Sequence, residues 1–204
     1  MDKIIYIIDD DESIRDSLTF LFSTLSWPVK CFDSVDAFSR SASVAGTPLT
    51  GCLLLDMRMP GESGLSWFEK NSASHPLLPV VMMTGHGSVD ACRRAFRHGV
   101  FEFFTKPLDA DQLIDTVHAA FAESETRQRK WQEHVQARQR FAQLTARETE
   151  VLKELMTGAS NKEVAARLDL STRTVEAHRA AIFNKLGVSS LVQAIREHDK
   201  LDSV

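Results

Sequence analysis

Seven positions carry side chains that could act together. Asp9, Asp10 and Asp11 follow an apolar run, Asp56 follows Leu53-Leu54-Leu55, Thr84 follows Val80–Met83, and Lys106-Pro107 follows Phe101–Phe104. Carboxylates gathered in one pocket repel one another and favour protonation unless a cation neutralises them. A hard divalent ion such as Mg²⁺ suits such oxygens, usually on one or two carboxylates with waters completing its shell. A lysine adds a point charge for phosphate and a threonine adds a hydroxyl hydrogen bond. Phosphoryl transfer to a carboxylate uses all of these groups. Each residue also has a plain structural use: the aspartates could cap a helix, and Thr84-Gly85 could be loop.

The elements that must position these groups are short apolar runs separated by helical patterns. The runs are Lys3–Ile8, Val29–Phe32, Cys52–Leu55, Val80–Met83 and Phe101–Phe104. Between the first two, Ile14, Leu18, Leu21, Phe22 and Leu25 recur at helical spacing. Five strands alternating with helices predict a parallel sheet covered on both faces. Ligands of such sheets bind outside the carboxyl ends of the strands, which is where the seven positions fall.

The second half has a different character. All six prolines lie at or before Pro107, and only Gly158 and Gly187 follow Gly99. Residues 1–120 hold 10 Lys+Arg against 16 Asp+Glu, whereas residues 121–204 hold 14 against 12, so an acidic half precedes a mildly basic one. The reading divides the chain into 1–121, 122–142 and 143–204. From Asp111 to about Arg140 the pattern is helical, with Leu113, Ile114, Val117 and Phe121 docking on the sheet. Beyond Phe121 it becomes either a helical spacer running into solvent or a flexible Gln-rich linker. Thr145 and Glu148 form a capping box, Asn161 caps a short helix ending at Leu168, Ser171 or Thr172 opens a longer helix to Leu186, and a fourth begins near Ser189. A short helix, a turn at Asp169–Leu170 and a longer polar-faced helix make a helix-turn-helix. Val175, Ile182 and Leu186 face its core. Arg173, Thr174, Glu176, Ala177, Ala180 and Asn184 lie toward the other side as candidates for reading bases, with Lys162, Arg179 and Lys185 as phosphate contacts.

Composition excludes several classes. The 204 residues are 43% hydrophobic and 25% charged, which rules out a disordered or coiled-coil chain. No apolar run approaches the ~20 residues of a membrane span. Cys31, Cys52 and Cys92 are far apart, which points to free thiols in a reducing cytoplasm. The seven histidines have no ligand spacing; His86 lies near the acid pocket as a candidate for tuning phosphate lifetime.

The segments Ile7–Asp11, Leu54–Pro60, Met83–Gly87 and Phe104–Pro107 resemble the receiver domain of two-component response regulators. Leu144–Glu150, Asn161–Ala165 and Thr174–Arg179 are similar to the LuxR-type helix-turn-helix, and together they resemble the FixJ-like branch over nearly the whole chain. The resemblance implies a flavodoxin-like doubly wound α/β domain, a linker helix and a four-helix all-α domain. It implies that the chain is not an enzyme but a transcription factor, with Asp56 as phosphoacceptor for a cognate histidine kinase. Asp10, Asp56 and the Arg58 backbone carbonyl would hold Mg²⁺, with Asp9 reaching it through water. Lys106 would pair with the phosphate across a cis bond to Pro107. Thr84 would move toward the phosphate while Phe103, a tyrosine in many receivers, turns inward. The further implied partners are double-stranded promoter DNA, RNA polymerase and a second copy of the phosphorylated chain. Arg93, Arg94 and Arg97 facing Asp109, Asp111 and Asp115 would supply a self-complementary dimer surface. Two other functions share some of these residues: a Mg²⁺-dependent phosphatase with Asp9 as nucleophile, and a DNA-binding regulator indifferent to phosphate.

Overall fold

The computed structural model describes residues 3–44, 48–85 and 87–202, so His86 lies outside the described residues. The chain divides into two compact units, Met1–Gln128 and Arg129–Val204.

In the first unit, β1 (Ile5–Ile8), β2 (Val29–Phe32), β3 (Cys52–Asp56), β4 (Val80–Thr84) and β5 (Glu102–Thr105) form one sheet in the order β2-β1-β3-β4-β5. Every neighbouring pair is parallel. Helices α1 (Glu12–Ser23), α2 (Val35–Val44), α3 (Gly64–Asn71) and α4 (Val89–Arg97) alternate with the strands, and α5 (Ala110–Phe141) follows β5. Side chains of period two sort the central strands onto two cores. Ile5, Ile7, Leu54, Val81 and Met83 pack with Leu18, Phe22, Leu113, Val117 and Phe121 of α1 and α5. Tyr6, Ile8, Leu53, Leu55 and Met82 pack with Phe38, Trp67, Phe68 and Ala95 of α2, α3 and α4. The central strands β1, β3 and β4 are buried throughout, which is why they read as unbroken apolar runs. β1 starts at Ile5 rather than at Lys3, because register pairing begins where Ile5 meets Val29 and Cys52. β5 is shifted by one residue to end on Thr105, which pairs with Thr84.

Two local features fix the sheet around the acid-bearing strand ends, and a third does so at the opposite edge. Asp11 caps α1, its carboxylate accepting from the Ser13 amide, so it serves the capping use rather than the pocket. Gly64 opens α3 so close to β3 that a Cβ there would lie 2.0 Å from the Asp56 carbonyl oxygen. Gly51, with φ +120°, passes equally close to the Ile4 carbonyl.

α5 is a single helix of 32 residues. The stretch 122–142 does not stand apart as a spacer running into solvent. Ser124, buried in the first unit, accepts from the Gly51 amide at 3.0 Å and donates to the Leu77 carbonyl at 2.8 Å. Farther along, His134 meets the Lys200 carbonyl, Arg140 pairs with Glu197, and Ala137 is fully buried in the second unit. Buried contacts on both sides of Gln128 absorb the residues that composition alone marked as linker.

The second unit adds α6 (Ala146–Met156), α7 (Asn161–Leu168), α8 (Thr172–Leu186) and α9 (Leu191–Asp199). Val151, Leu152, Leu155, Val164, Val175, Ile182, Leu186 and Ala194 form its core. Thr145 and Glu148 make the capping box of α6. The cap of α7 is Ser160 rather than Asn161, since Ser160 and Glu163 form a second capping box and leave Asn161 as the first helical residue. Asp169 ends α7 in the left-handed region at φ 53°, and the chain turns into α8 under the Ser171 cap. Gly187, at φ 68°, closes α8.

Candidate functional site

Parallel strands of matched register bring the ends of β1, β3, β4 and β5 to one edge of the sheet. Lys106 leaves β5 there, and its backbone amide donates to the Thr84 carbonyl at 2.7 Å, fixing the two strand ends together. Its ammonium reaches across the edge to Asp9 Oδ2 at 2.7 Å and Asp56 Oδ1 at 2.6 Å. The second oxygen of Asp56 accepts from the Arg58 amide at 2.7 Å, and that of Asp9 accepts from the Asp11 amide at 3.1 Å. The Lys106–Pro107 bond is cis.

The electrostatics follow from burial. Asp9 is fully buried and Asp56 nearly so. Desolvation pushes the Asp56 carboxyl above its ordinary value, although Lys106 and the Arg58 amide pull it down. Burial opposes the Lys106 ammonium as well, yet its bonds to Asp56 and Asp9 hold it above the usual lysine range. Two carboxylates sharing one ammonium leave negative charge uncompensated, so a further cation is electrostatically favoured.

The predicted residues are not all drawn into this cluster. Asp10 is exposed, and Arg58 presents its amide to Asp56 while its side chain lies outside. Among the described residues, no three His, Cys, Asp or Glu side chains are grouped to hold a metal. Thr84 is buried, and a Cβ at Gly87 would touch both its methyl at 3.3 Å and the Phe103 ring at 3.2 Å, so these two side chains flank one small gap. Arg15 was not evident from sequence; its guanidinium donates to the Asp9 carbonyl at 2.7 Å. A helical arginine four residues beyond a cap, near an acidic strand end, is the only signal it leaves.

On α4, Arg94 is turned to α3, donating through two nitrogens to both oxygens of Glu69 at 2.8 and 2.6 Å. This bidentate pair removes it from the basic patch of Arg93, Arg94 and Arg97.

In the second unit Arg173, Glu176, Ala177, Ala180 and Asn184 share an exposed face of α8, and Lys162 is exposed on α7. Thr174 is half-buried, its hydroxyl 2.7 Å from that of Ser171 in the helix cap. Arg179 lies over the Phe183 ring and within 3.5 Å of Asn161. Lys185 is committed to Glu148 at 2.6 Å. A lysine paired this way is not a free phosphate contact.

Comparison with known proteins agrees with both units. Residues 5–118 match the response regulator receiver domain family model, and residues 142–198 match that of the luxR family of bacterial regulatory proteins. The chain is 32% identical to the response regulator protein TmoT of Ectopseudomonas mendocina, covering 98% of this chain and 90% of the relative. It is 34% identical to the transcriptional regulatory protein FixJ of Bradyrhizobium diazoefficiens, covering 94% and 92%. Among solved structures, that of the response regulator StyR superposes with a TM-score of 0.78 at 33% identity, covering 97% of this chain and 98% of that one. Full-length FixJ from B. japonicum gives 0.57 at 33% identity, covering 99% and 98%. The chain therefore belongs to the FixJ-like response regulators, two-component transcription factors that join a receiver domain to a LuxR-type DNA-binding domain.

Proposed function

We propose that Asp56 is the phosphoacceptor of this regulator and that its phosphorylation controls promoter binding through α8. The observation that carries the reading is the shared ammonium. Lys106 holds Asp9 and Asp56 together at the carboxyl edge of the sheet, where burial keeps the Asp56 carboxyl above its ordinary range. A carboxylate oxygen of Asp56 attacks the phosphorus of a kinase phosphohistidine. The new P–O bond forms as the P–N bond breaks, and the electron pair leaves with the imidazole. Lys106 would follow the charge onto the phosphoryl oxygens, and the Thr84 methyl and Phe103 ring flank the gap at Gly87 through which the switch would act. The residue types fit Mg²⁺: Asp9, Asp56 and the Arg58 carbonyl would supply hard oxygens at this edge, with Asp10 reaching in from the exposed rim. When bound, the ion would neutralise the transferred phosphoryl group.

In the second unit, Arg173, Glu176, Ala177, Ala180 and Asn184 would meet base edges and Lys162 a phosphate. The remaining partners belong to the same reading: a cognate histidine kinase, a second phosphorylated copy through α4 and α5, RNA polymerase at the promoter, and a cytoplasmic site of action. No helix among the described residues is long and apolar enough to cross a membrane. Asp9 suits a nucleophile less well than Asp56, because its side chain is wholly buried whereas that of Asp56 keeps a little exposure at the strand end.

The test is to treat the full chain with acetyl phosphate and Mg²⁺ beside Asp56→Asn, following phosphate by intact mass and association by ultracentrifugation. Phosphate gain and dimer formation in the wild type alone support the reading. Phosphate on Asp56→Asn moves the nucleophile to Asp9. Phosphate on neither chain leaves a DNA-binding regulator indifferent to phosphate.

A further inference from the structure

The capping box of α6 does more than start a helix. Glu148 Oε2 accepts from the Thr145 amide at 2.7 Å, and the same oxygen accepts from Lys185 Nζ on α8 at 2.6 Å. Its side chain is only 7% exposed, against 31% for Lys185. The residue before it, Arg147, donates to the carbonyl of Leu168 at 2.6 Å and to Glu150 at 2.7 Å. Leu168 is the last residue of α7, directly ahead of the left-handed Asp169. Two consecutive residues on one helical turn therefore grip the exit of α7 and the last turn of α8.

Val151, Leu152 and Leu155 of α6 share one apolar cluster with Val175, Ile182 and Leu186 of α8. Such contacts are non-directional and leave a helix free to roll or slide by small amounts. Hydrogen-bonded charges that are largely shielded from water fix register and angle, because a displaced partner leaves a desolvated charge unpaired.

We infer that the first turn of α6 is a two-armed clamp that sets the angle at which α8 meets DNA, with Lys185 acting as a positioning residue for base reading instead of contacting phosphate. Carboxylate and ammonium meet at 2.6 Å from different helices, so each orients the other. Arg147 holds the turn from which α8 departs. The inference rests on α8 being the DNA-reading helix, and the experiment separates the two.

The full chain carrying Lys185→Met, Lys185→Arg, Glu148→Gln, and the double Glu148→Gln/Lys185→Met would be measured against two duplexes. One is selected by the wild type from a randomised pool and the other is of random sequence. Clamping predicts that Lys185→Met and Glu148→Gln each weaken binding to the selected duplex by about tenfold. The double variant should be no weaker than either single one, and Lys185→Arg, which keeps the pair, should restore binding. The salt dependence of random-duplex binding should not change in any of them. Circular dichroism of each variant checks that the second unit remains folded. A phosphate contact would instead lower the salt slope of Lys185→Met by about one and leave Glu148→Gln with wild-type affinity, overturning the clamp. A wild type with no preference between the duplexes would overturn the assignment of α8 itself, and the clamp's role with it.

Discussion

Lys106→Met isolates the charge arrangement at the acid pocket. Methionine keeps most of the aliphatic volume and removes the ammonium that bonds Asp9 at 2.7 Å and Asp56 at 2.6 Å. Both carboxylates then face each other on a buried strand edge, with side-chain exposures of 0% and 6%. Breaking a buried pair by removing one partner costs about 3–5 kcal/mol, whereas exposed pairs contribute about 0–1 kcal/mol. Lys106 is itself 20% exposed, so water can enter beside it, and the lower end applies: a loss of about 3 kcal/mol. The assay is urea unfolding of the full chain in EDTA, in a Trp131→Phe background, so that fluorescence reports only Trp27 and Trp67 of the first unit. In an Asp56→Asn background only one carboxylate is left facing the methionine, and the same substitution should cost about 1 kcal/mol, a coupling of about 2 kcal/mol. A loss below about 1 kcal/mol in the Asp56 protein, or equal losses in both backgrounds, would refute the shared-ammonium account.

Other substitutions probe the supports of the site. Ser124→Ala leaves the Gly51 amide and the Leu77 carbonyl without their buried partner, and should lower first-unit stability by about 2–3 kcal/mol in the same urea assay. Gly64→Ala drives a Cβ into the Asp56 carbonyl region, so it should slow acetyl phosphate labelling of Asp56 and lower the urea midpoint together. Glu148 is held well below its ordinary value of 4.5, at about 2, chiefly by the Lys185 hydrogen bond. A depressed carboxyl stabilises above its unfolded value, and that contribution is lost as pH falls from about 4.5 toward 2. Acid titration of second-unit unfolding, followed by Trp131, should therefore fall more steeply over that window in the wild type than in Glu148→Gln.

Most of the fold was legible because the central strands are buried on both faces. Residues such as Leu53–Leu55 and Val80–Met83 must be apolar throughout, and the polar residue that ends each run marks the sheet's carboxyl edge. Asp9, Asp56 and Lys106 could be placed at that edge from strand order alone. What sequence did not show was the partner of each charge. Arg94 with Glu69, Lys185 with Glu148, and Arg15 with the Asp9 carbonyl are set by how helices pack, and no local pattern announces them. The contacts of Ser124 are hidden for the same reason. Ser124 looks like any polar residue on an exposed helix until the Gly51 amide and Leu77 carbonyl are found against it. The Ser160 cap was readable, since Ser160 and Glu163 repeat the spacing of Thr145 and Glu148.

The Ser124 hydroxyl has a mechanical consequence. Gly51 immediately precedes β3, and Leu77 lies shortly before β4, so one oxygen ties the roots of two adjacent strands to α5. Asp56 and Thr84 sit at the opposite tips of those same strands. The two strands are also paired along their length, from Leu53 with Val80 to Asp56 with Met83, so the tie at their roots and the ladder between them hold the tips in one register. The same hydroxyl, donor to one root and acceptor from the other, sets the spacing of both against α5.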